Sequence, residues 1–213
     1  CRYCFRREYP YADSHAGVDD WRPALAYLAN DPSIREVILS GGDPLSLSDR
    51  RLGVLLAALD QIPHLERLRI HSRQPIVLPE RVDDGLLERL AQTRLRLVLV
   101  VHANHPRELD ETVRTALARL AATGVTLLNQ AVLLRGVNDS TTVLAELSEA
   151  LFAARVLPYY LHLLDPVRGA AHFDVNEIEA SAIMKTLRQR LPGYLVPRLV
   201  REQPGQPAKI PVG

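Results

Sequence analysis

Cysteine is scarce in this sequence: Cys1 and Cys4 are the only two in 213 residues. That count excludes a disulfide-stapled scaffold. Lysine is as rare. Lys185 and Lys209 stand alone, and the other 24 of the 26 basic residues are arginine, so each lysine merits scrutiny. Long apolar runs are missing too; none approaches the ~18–20 residues that a membrane-spanning helix needs. An excess of either charge is lacking. The net charge is +1, which argues against a dedicated nucleic-acid binder. What is present is a 47% hydrophobic, 24% charged composition, too apolar for a disordered chain. A globular chain of this length buries roughly 70% of its unfolded surface. The sequence opens at Cys1 rather than Met, in the middle of what reads as a motif; a fragment of a longer protein is expected.

Short apolar, β-branched runs alternate with amphipathic stretches of helical period. The pattern predicts strands over 34–40, 67–71, 95–102, 126–133, 157–163 and 195–200, and helices over 20–29, 48–61, 83–92, 108–122, 142–155 and 176–190. Ser48 and Asn176 are candidate N-caps, and Glu179 stands where a capping box needs it. The strands read as almost wholly apolar, as parallel strands covered by helices do. This alternation predicts an α/β sheet or barrel built from right-handed crossovers. Polar residues gather at the strand ends: Ser40-Gly41-Gly42-Asp43, His71-Ser72-Arg73, His102-Ala103-Asn104-His105, Asn129-Gln130, and His162 to Asp165. Carboxyl ends of parallel strands share one face, where ligands bind. Taken singly, each polar group could merely punctuate a strand end. The segment 202–213, rich in Pro and Gly, reads as a loop.

Several groups could carry chemistry, each beside a plainer reading. The CxxC formed by Cys1 and Cys4 suits a redox dithiol, half a zinc site or part of an iron–sulfur site, or two incidental buried thiols. Ser40-Gly41-Gly42-Asp43-Pro44 allows close backbone approach to a ligand, or is a simple turn. Lys209, in a Gly/Pro-rich stretch, is a solvated surface amine or a Schiff-base lysine. Asp165 is a helix cap or a carboxylate for a cationic substrate. His102 and His105 suit a metal or, more simply, hydrogen bonding in a pocket.

Jointly these segments resemble a known family. Cys1-Arg2-Tyr3-Cys4-Phe5-Arg6-Arg7 looks like the end of the radical S-adenosylmethionine motif in its lysine 2,3-aminomutase version. Ser40 to Leu45, Leu128-Asn129-Gln130, Leu133 to Asp139, Pro158-Tyr159-Tyr160, Gly193-Tyr194 and the terminal stretch with Lys209 match the same family. Tyr9-Pro10-Tyr11-Ala12 and Gly169 to Phe173 most resemble the branch that serves elongation factor P, making (R)-β-lysine from (S)-α-lysine for a separate ligase to attach.

The resemblance implies a partial (βα)6 radical SAM barrel lacking its first strand, with the barrel domain over 1–201 and a pyridoxal phosphate loop over 202–213. It implies Cys1 and Cys4 as ligands of a 4Fe–4S cluster, and S-adenosylmethionine held by Ser40, Gly41, Gly42 and Asp43, with Ser72, His102, Asn104, His105 and Gln130 completing the pocket. Lys209 would carry pyridoxal 5′-phosphate. Arg6 would pair with the lysine carboxylate, as a planar guanidinium fork suits, and Asp165 with its ε-ammonium. The family's metabolic members place an aspartate where Glu202 stands here. The implied activity is an isomerase moving the amino group of lysine from carbon 2 to carbon 3, in the cytoplasm, with an electron donor such as flavodoxin or ferredoxin and a functional link to elongation factor P and its lysyl ligase. A metabolic lysine 2,3-aminomutase is the alternative. Neither reading involves nucleic acid or a membrane.

Overall fold

The structure, a computed structural model, describes residues 2–4 and 21–213. The described residues divide into two compact units, one of residues 21–101 and 115–127, the other of residues 2–4, 102–114 and 128–213. We call them the first and second unit.

In the first unit, α1 (Arg22–Asn30) leads into β1 (Glu36–Leu39), α2 (Asp49–Asp60), β2 (Arg67–His71), the single turn α3 (Gln74–Val77), α4 (Asp84–Gln92) and β3 (Arg96–Val101). β1 pairs with β2 and β2 with β3, both in parallel. α2 and α4 start where the sequence supplies a cap. Ser48 Oγ accepts from the Arg51 amide before α2, and Asp83 Oδ1 accepts from the Leu86 amide at 2.8 Å before α4. Leu52, Leu55, Leu56 and Leu59 of α2 are buried, the i, i+3, i+4, i+7 stripe of a helix packed on a sheet. Gly53 lets α4 come close: a Cβ there would stand 3.3 Å from Arg89 Cδ. β1 is less covered than its apolar sequence suggests. Ile38 is 47% exposed, and α1 has no buried residue.

α5 (Glu111–Ala122) and β4 (Thr126–Val132) follow, and the division between the units falls within both. The second unit continues with α6 (Thr141–Ala153), β5 (Leu157–His162), α7 (Glu177–Arg190), β6 (Arg198–Arg201) and β7 (Ile210–Pro211). β4 pairs with β5 and β5 with β6 in parallel, with a register shift at Asn129/Gln130. β7 then returns antiparallel to β6, pairing Val200 with Pro211 and Arg201 with Ile210. The expectation of a loop throughout 202–213 is corrected here. Val212 is buried and its amide donates to Leu199 O at 3.0 Å, so the apolar end of the segment closes a hairpin.

The expected helices and strands are present, with ends differing by a few residues. The fifth helix begins at Glu111 because Pro106–Glu108 forms a separate 3-10 turn capped by His105. The strand expected from 195 begins at Arg198, because Gly193–Leu195 is another such turn. Asn176 caps α7 through the Glu179 amide, at 2.9 Å. The Glu179 carboxylate instead takes Arg135 at 2.6 Å, an ion pair that replaces the return half of the expected capping box.

Candidate active site

The β6–β7 hairpin carries Glu202 and Lys209 on its two arms. Lys209 Nζ donates to the Glu202 carboxylate and lies 5.7 Å over the Tyr160 ring, a favourable place for a cation. Tyr160 and His162 stand two residues apart on β5, hence on one face, with their rings edge to face at 5.7 Å. Asp165 follows the same strand. Burial pushes its carboxyl up from the ordinary aspartate value; the neighbouring negative charge of Glu202 acts in the same direction, and Lys209 opposes both. His162 is held well below the usual imidazole value, at about 4, first by burial and then by the Lys209 charge, with Glu202 opposing and His102 adding to the effect. His162 is therefore neutral near pH 7. Two carboxyl groups, Glu202 and Asp165, thus stand within electrostatic reach of one lysine, Lys209.

In the same unit, three asparagines fasten the backbone. Asn129 accepts from the Ala103 amide at 2.8 Å and donates to the Ala103 carbonyl at 3.0 Å. Asn104 Oδ1 accepts from the Val132 amide at 2.8 Å, and its Nδ2 donates to the Tyr3 hydroxyl, which ties the Cys-containing segment to the end of β3. Asn138 Oδ1 accepts from the Leu134 amide at 2.7 Å, and its Nδ2 donates to the Asn104 and Val132 carbonyls at 2.9 Å each. His105 is an N-cap rather than a free ligand, its Nδ1 accepting from the Arg107 amide at 3.1 Å.

The second unit therefore holds Lys209, Glu202, Asp165, His102, Gln130 and Cys4. Of these, a hydrogen bond joins Lys209 to Glu202, and charge interactions link both to Asp165 and His102 to His162. Gln130 sits at the β4 register shift, and its Oε1 is buried without a hydrogen-bond partner. Cys4 is a free, half-buried thiol. Cys1 and Arg6 lie outside the described residues. No cluster of three or more His, Cys, Asp or Glu side chains that could hold a metal occurs among the described residues.

Ser40, Gly41, Gly42, Asp43 and Ser72 belong to the first unit. Gly41 and Gly42 adopt φ of 94° and 59°, the left-handed region that glycine enters without strain. A Cβ on Gly42 would meet nothing within 4 Å, so the left-handed backbone of the turn, not a close neighbour, is what calls for glycine here. The Asp43 carboxylate is occupied by Leu45, Ser72 and Arg73. Asp43 and Ser72 thus build the loop, and Ser40 to Gly42 present it.

Sequence reasoning leaves two contributors without a role. His162 reads there only as one of the polar residues at a strand end, with no chemistry of its own assigned. Asn138 hides inside a turn sequence, and only the folded backbone reveals its three partners.

No family model matches the sequence. The chain is 54% identical over 212 residues to the L-lysine 2,3-aminomutase of Escherichia coli, covering 100% of this chain and 62% of that protein. It is 41% identical to the L-lysine 2,3-aminomutase of Clostridium subterminale over 213 residues, covering 100% of this chain and 51% of that one. Over its whole length this chain is a homologue of the L-lysine 2,3-aminomutases. It spans less than two thirds of the length of these relatives. Among solved structures, a radical SAM methyltransferase from Sphaerobacter thermophilus aligns with TM-score 0.56 at 19% identity, covering 87% of this chain and 55% of that one. A spore photoproduct lyase with bound AdoMet aligns with TM-score 0.56 at 14% identity, covering 93% and 72%. These likenesses show the α/β fold of radical SAM enzymes, with mostly parallel strands as the sequence pattern implies.

Proposed function

We propose that the whole protein is a lysine 2,3-aminomutase that isomerises (S)-α-lysine to (R)-β-lysine using a 4Fe–4S cluster, S-adenosylmethionine and pyridoxal 5′-phosphate. The observation that carries this reading is the pairing of Lys209 with Glu202 beside Asp165. An imine-forming lysine needs an amine next to a proton-handling group, and a substrate with a free ε-ammonium needs carboxylate left over. The cluster supplies both. Once Lys209 is engaged, Glu202 and Asp165 are two negative groups available to one substrate cation.

The residues present fit the cofactors. Lys209 would hold pyridoxal phosphate, which supplies a carbonyl that takes up an amino group and a ring that spreads an unpaired electron. Cys4, free and half-buried, suits a cluster ligand together with Cys1. The open loop at Gly41 and Gly42 suits the amino group of S-adenosylmethionine, whose reductive cleavage supplies the hydrogen-abstracting radical. Arg6 would pair with the substrate carboxylate. By the resemblance, His102, Gln130 and Ser72 would each serve a cofactor. An electron donor of the flavodoxin or ferredoxin class is required, and the cytoplasm is its ordinary setting. No helix among the described residues is long and apolar enough to cross a membrane. As the destination of the product we propose elongation factor P, reached through its lysyl ligase. Glu202 supports this branch, since the metabolic enzymes carry the shorter aspartate there.

The test uses the whole protein, purified without oxygen and reconstituted with iron and sulfide. Given S-adenosylmethionine, pyridoxal phosphate, a reductant and (S)-α-lysine, it should form β-lysine, resolved by chromatography. Cleavage of S-adenosylmethionine without β-lysine would overturn lysine as substrate. A gene deletion that leaves the mass of elongation factor P unchanged would overturn the proposed destination.

A further inference from the structure

The Tyr160/His162 face of β5 carries a polar atom that the protein itself does not satisfy. His162 is 4% exposed, and its Nε2 is buried with no hydrogen-bond partner. Buried polar atoms in folded proteins are paired nearly always, so such a group calls for a ligand or water. Its neighbours do not provide the partner. Glu202 accepts from Lys209 on one carboxylate oxygen and does not bond His162 Nε2, and Tyr160 meets the imidazole ring edge to face, not through a hydrogen bond. The strand register fixes the position: His162 pairs with Val200 across β5–β6, and Val200 pairs with Pro211 across β6–β7. Lys209, just before β7, reaches back over the Tyr160 face. A molecule joined to Nζ therefore begins at an aromatic surface whose next residue on the same face is His162.

We infer that His162 Nε2 hydrogen-bonds a polar group on the ring of the pyridoxal phosphate that Lys209 holds. This inference rests on the cofactor reading above. A neutral imidazole offers one donor and one acceptor nitrogen, so it binds a polar ring substituent without adding charge beside the Lys209 amine. An imidazolium at the same place would repel that amine. The buried, neutral state of His162 thus serves both the imine-forming lysine and the ligand.

The experiment titrates the whole protein with pyridoxal phosphate and follows the visible absorbance of the bound cofactor, for the wild type, His162→Gln and His162→Phe. His162→Phe keeps the packing against Tyr160 and removes both nitrogens. It should weaken binding about tenfold, the scale of one lost hydrogen bond, and shift the absorbance of whatever cofactor remains bound. His162→Gln keeps a donor and an acceptor and should restore most of the affinity, with a band displaced from wild type. Wild-type affinity with an unshifted band in His162→Phe overturns the inference. Should His162→Phe fail to fold, as judged by circular dichroism, the His162→Gln spectrum decides: an unshifted band at wild-type affinity overturns it. A wild-type protein that binds no pyridoxal phosphate overturns the cofactor reading and this inference with it.

Discussion

The Asp43 carboxylate accepts the Ser72 hydroxyl at 2.7 Å on one oxygen and the Arg73 amide at 2.7 Å on the other. The loop after β1 is thereby tied to the loop after β2, with the Leu45 amide, at 3.1 Å, as a third donor. All the groups that meet Asp43 here are donors, so only an acceptor on both oxygens satisfies them. Asp43→Asn turns one oxygen into a donor and should cost about 1–3 kcal/mol. Asp43→Ala leaves the buried Ser72 hydroxyl without this acceptor and should cost at least as much. Urea denaturation of the variants against wild type measures both. If the glycine loop receives S-adenosylmethionine, its affinity should fall alongside stability; an Asp43→Asn variant of wild-type stability would contradict the bracing role.

Asn138 makes the corresponding tie in the second unit. It is fully buried, at 0% exposure, and its side chain makes one acceptor and two donor contacts with main-chain groups. Asn138→Ala should cost about 2–4 kcal/mol, since it strands polar backbone atoms in the interior. Asn138→Asp should be worse at neutral pH: the shape is kept, but a carboxylate then confronts the Asn104 and Val132 carbonyls. The same urea series reads the order of the two. An Asp variant more stable than the Ala variant would mean that the network tolerates a charge and that shape, not donor pairing, is what matters.

The elements were legible in the sequence because local signals agree with the fold. Ser48 and Asn176 read as caps and act as caps. What escaped depends on distant partners. Nothing near Glu179 reveals that Arg135, 44 residues earlier, takes its carboxylate. A two-residue strand such as β7 has no periodicity, and only pairing with β6 defines it. The candidate site divides in the same way. Lys209 stands out by rarity and Asp165 by its place after a strand, Glu202 is named only through the family resemblance, and the burial of His162 becomes visible only when the hairpin and β5 are assembled.

That burial gives stability a defined pH dependence. The His162 imidazole titrates at about 4 in the folded protein against 6.5 for a free side chain. The unfolded chain therefore binds its proton first as pH falls. Stability contributed by the neutral ring is complete above pH 6.5, declines as pH drops from 6.5 towards 4, and changes no further below that, where both states carry the proton. The interval corresponds to roughly 3 kcal/mol. Asp165 acts in the opposite sense, because its raised carboxyl favours the protonated form in the folded state; its contribution begins as pH falls through that raised value and is complete at the ordinary aspartate value, so it offsets part of the loss from His162. The facing charges that set the His162 value are Lys209, Glu202 and His102. Urea midpoints of the whole protein should thus fall between pH 6.5 and 4.5. His162→Gln, with no titrating ring, should flatten that slope while leaving the acid limb governed by carboxylates in place. An identical slope in wild type and His162→Gln would place the proton uptake elsewhere and remove His162 from this role.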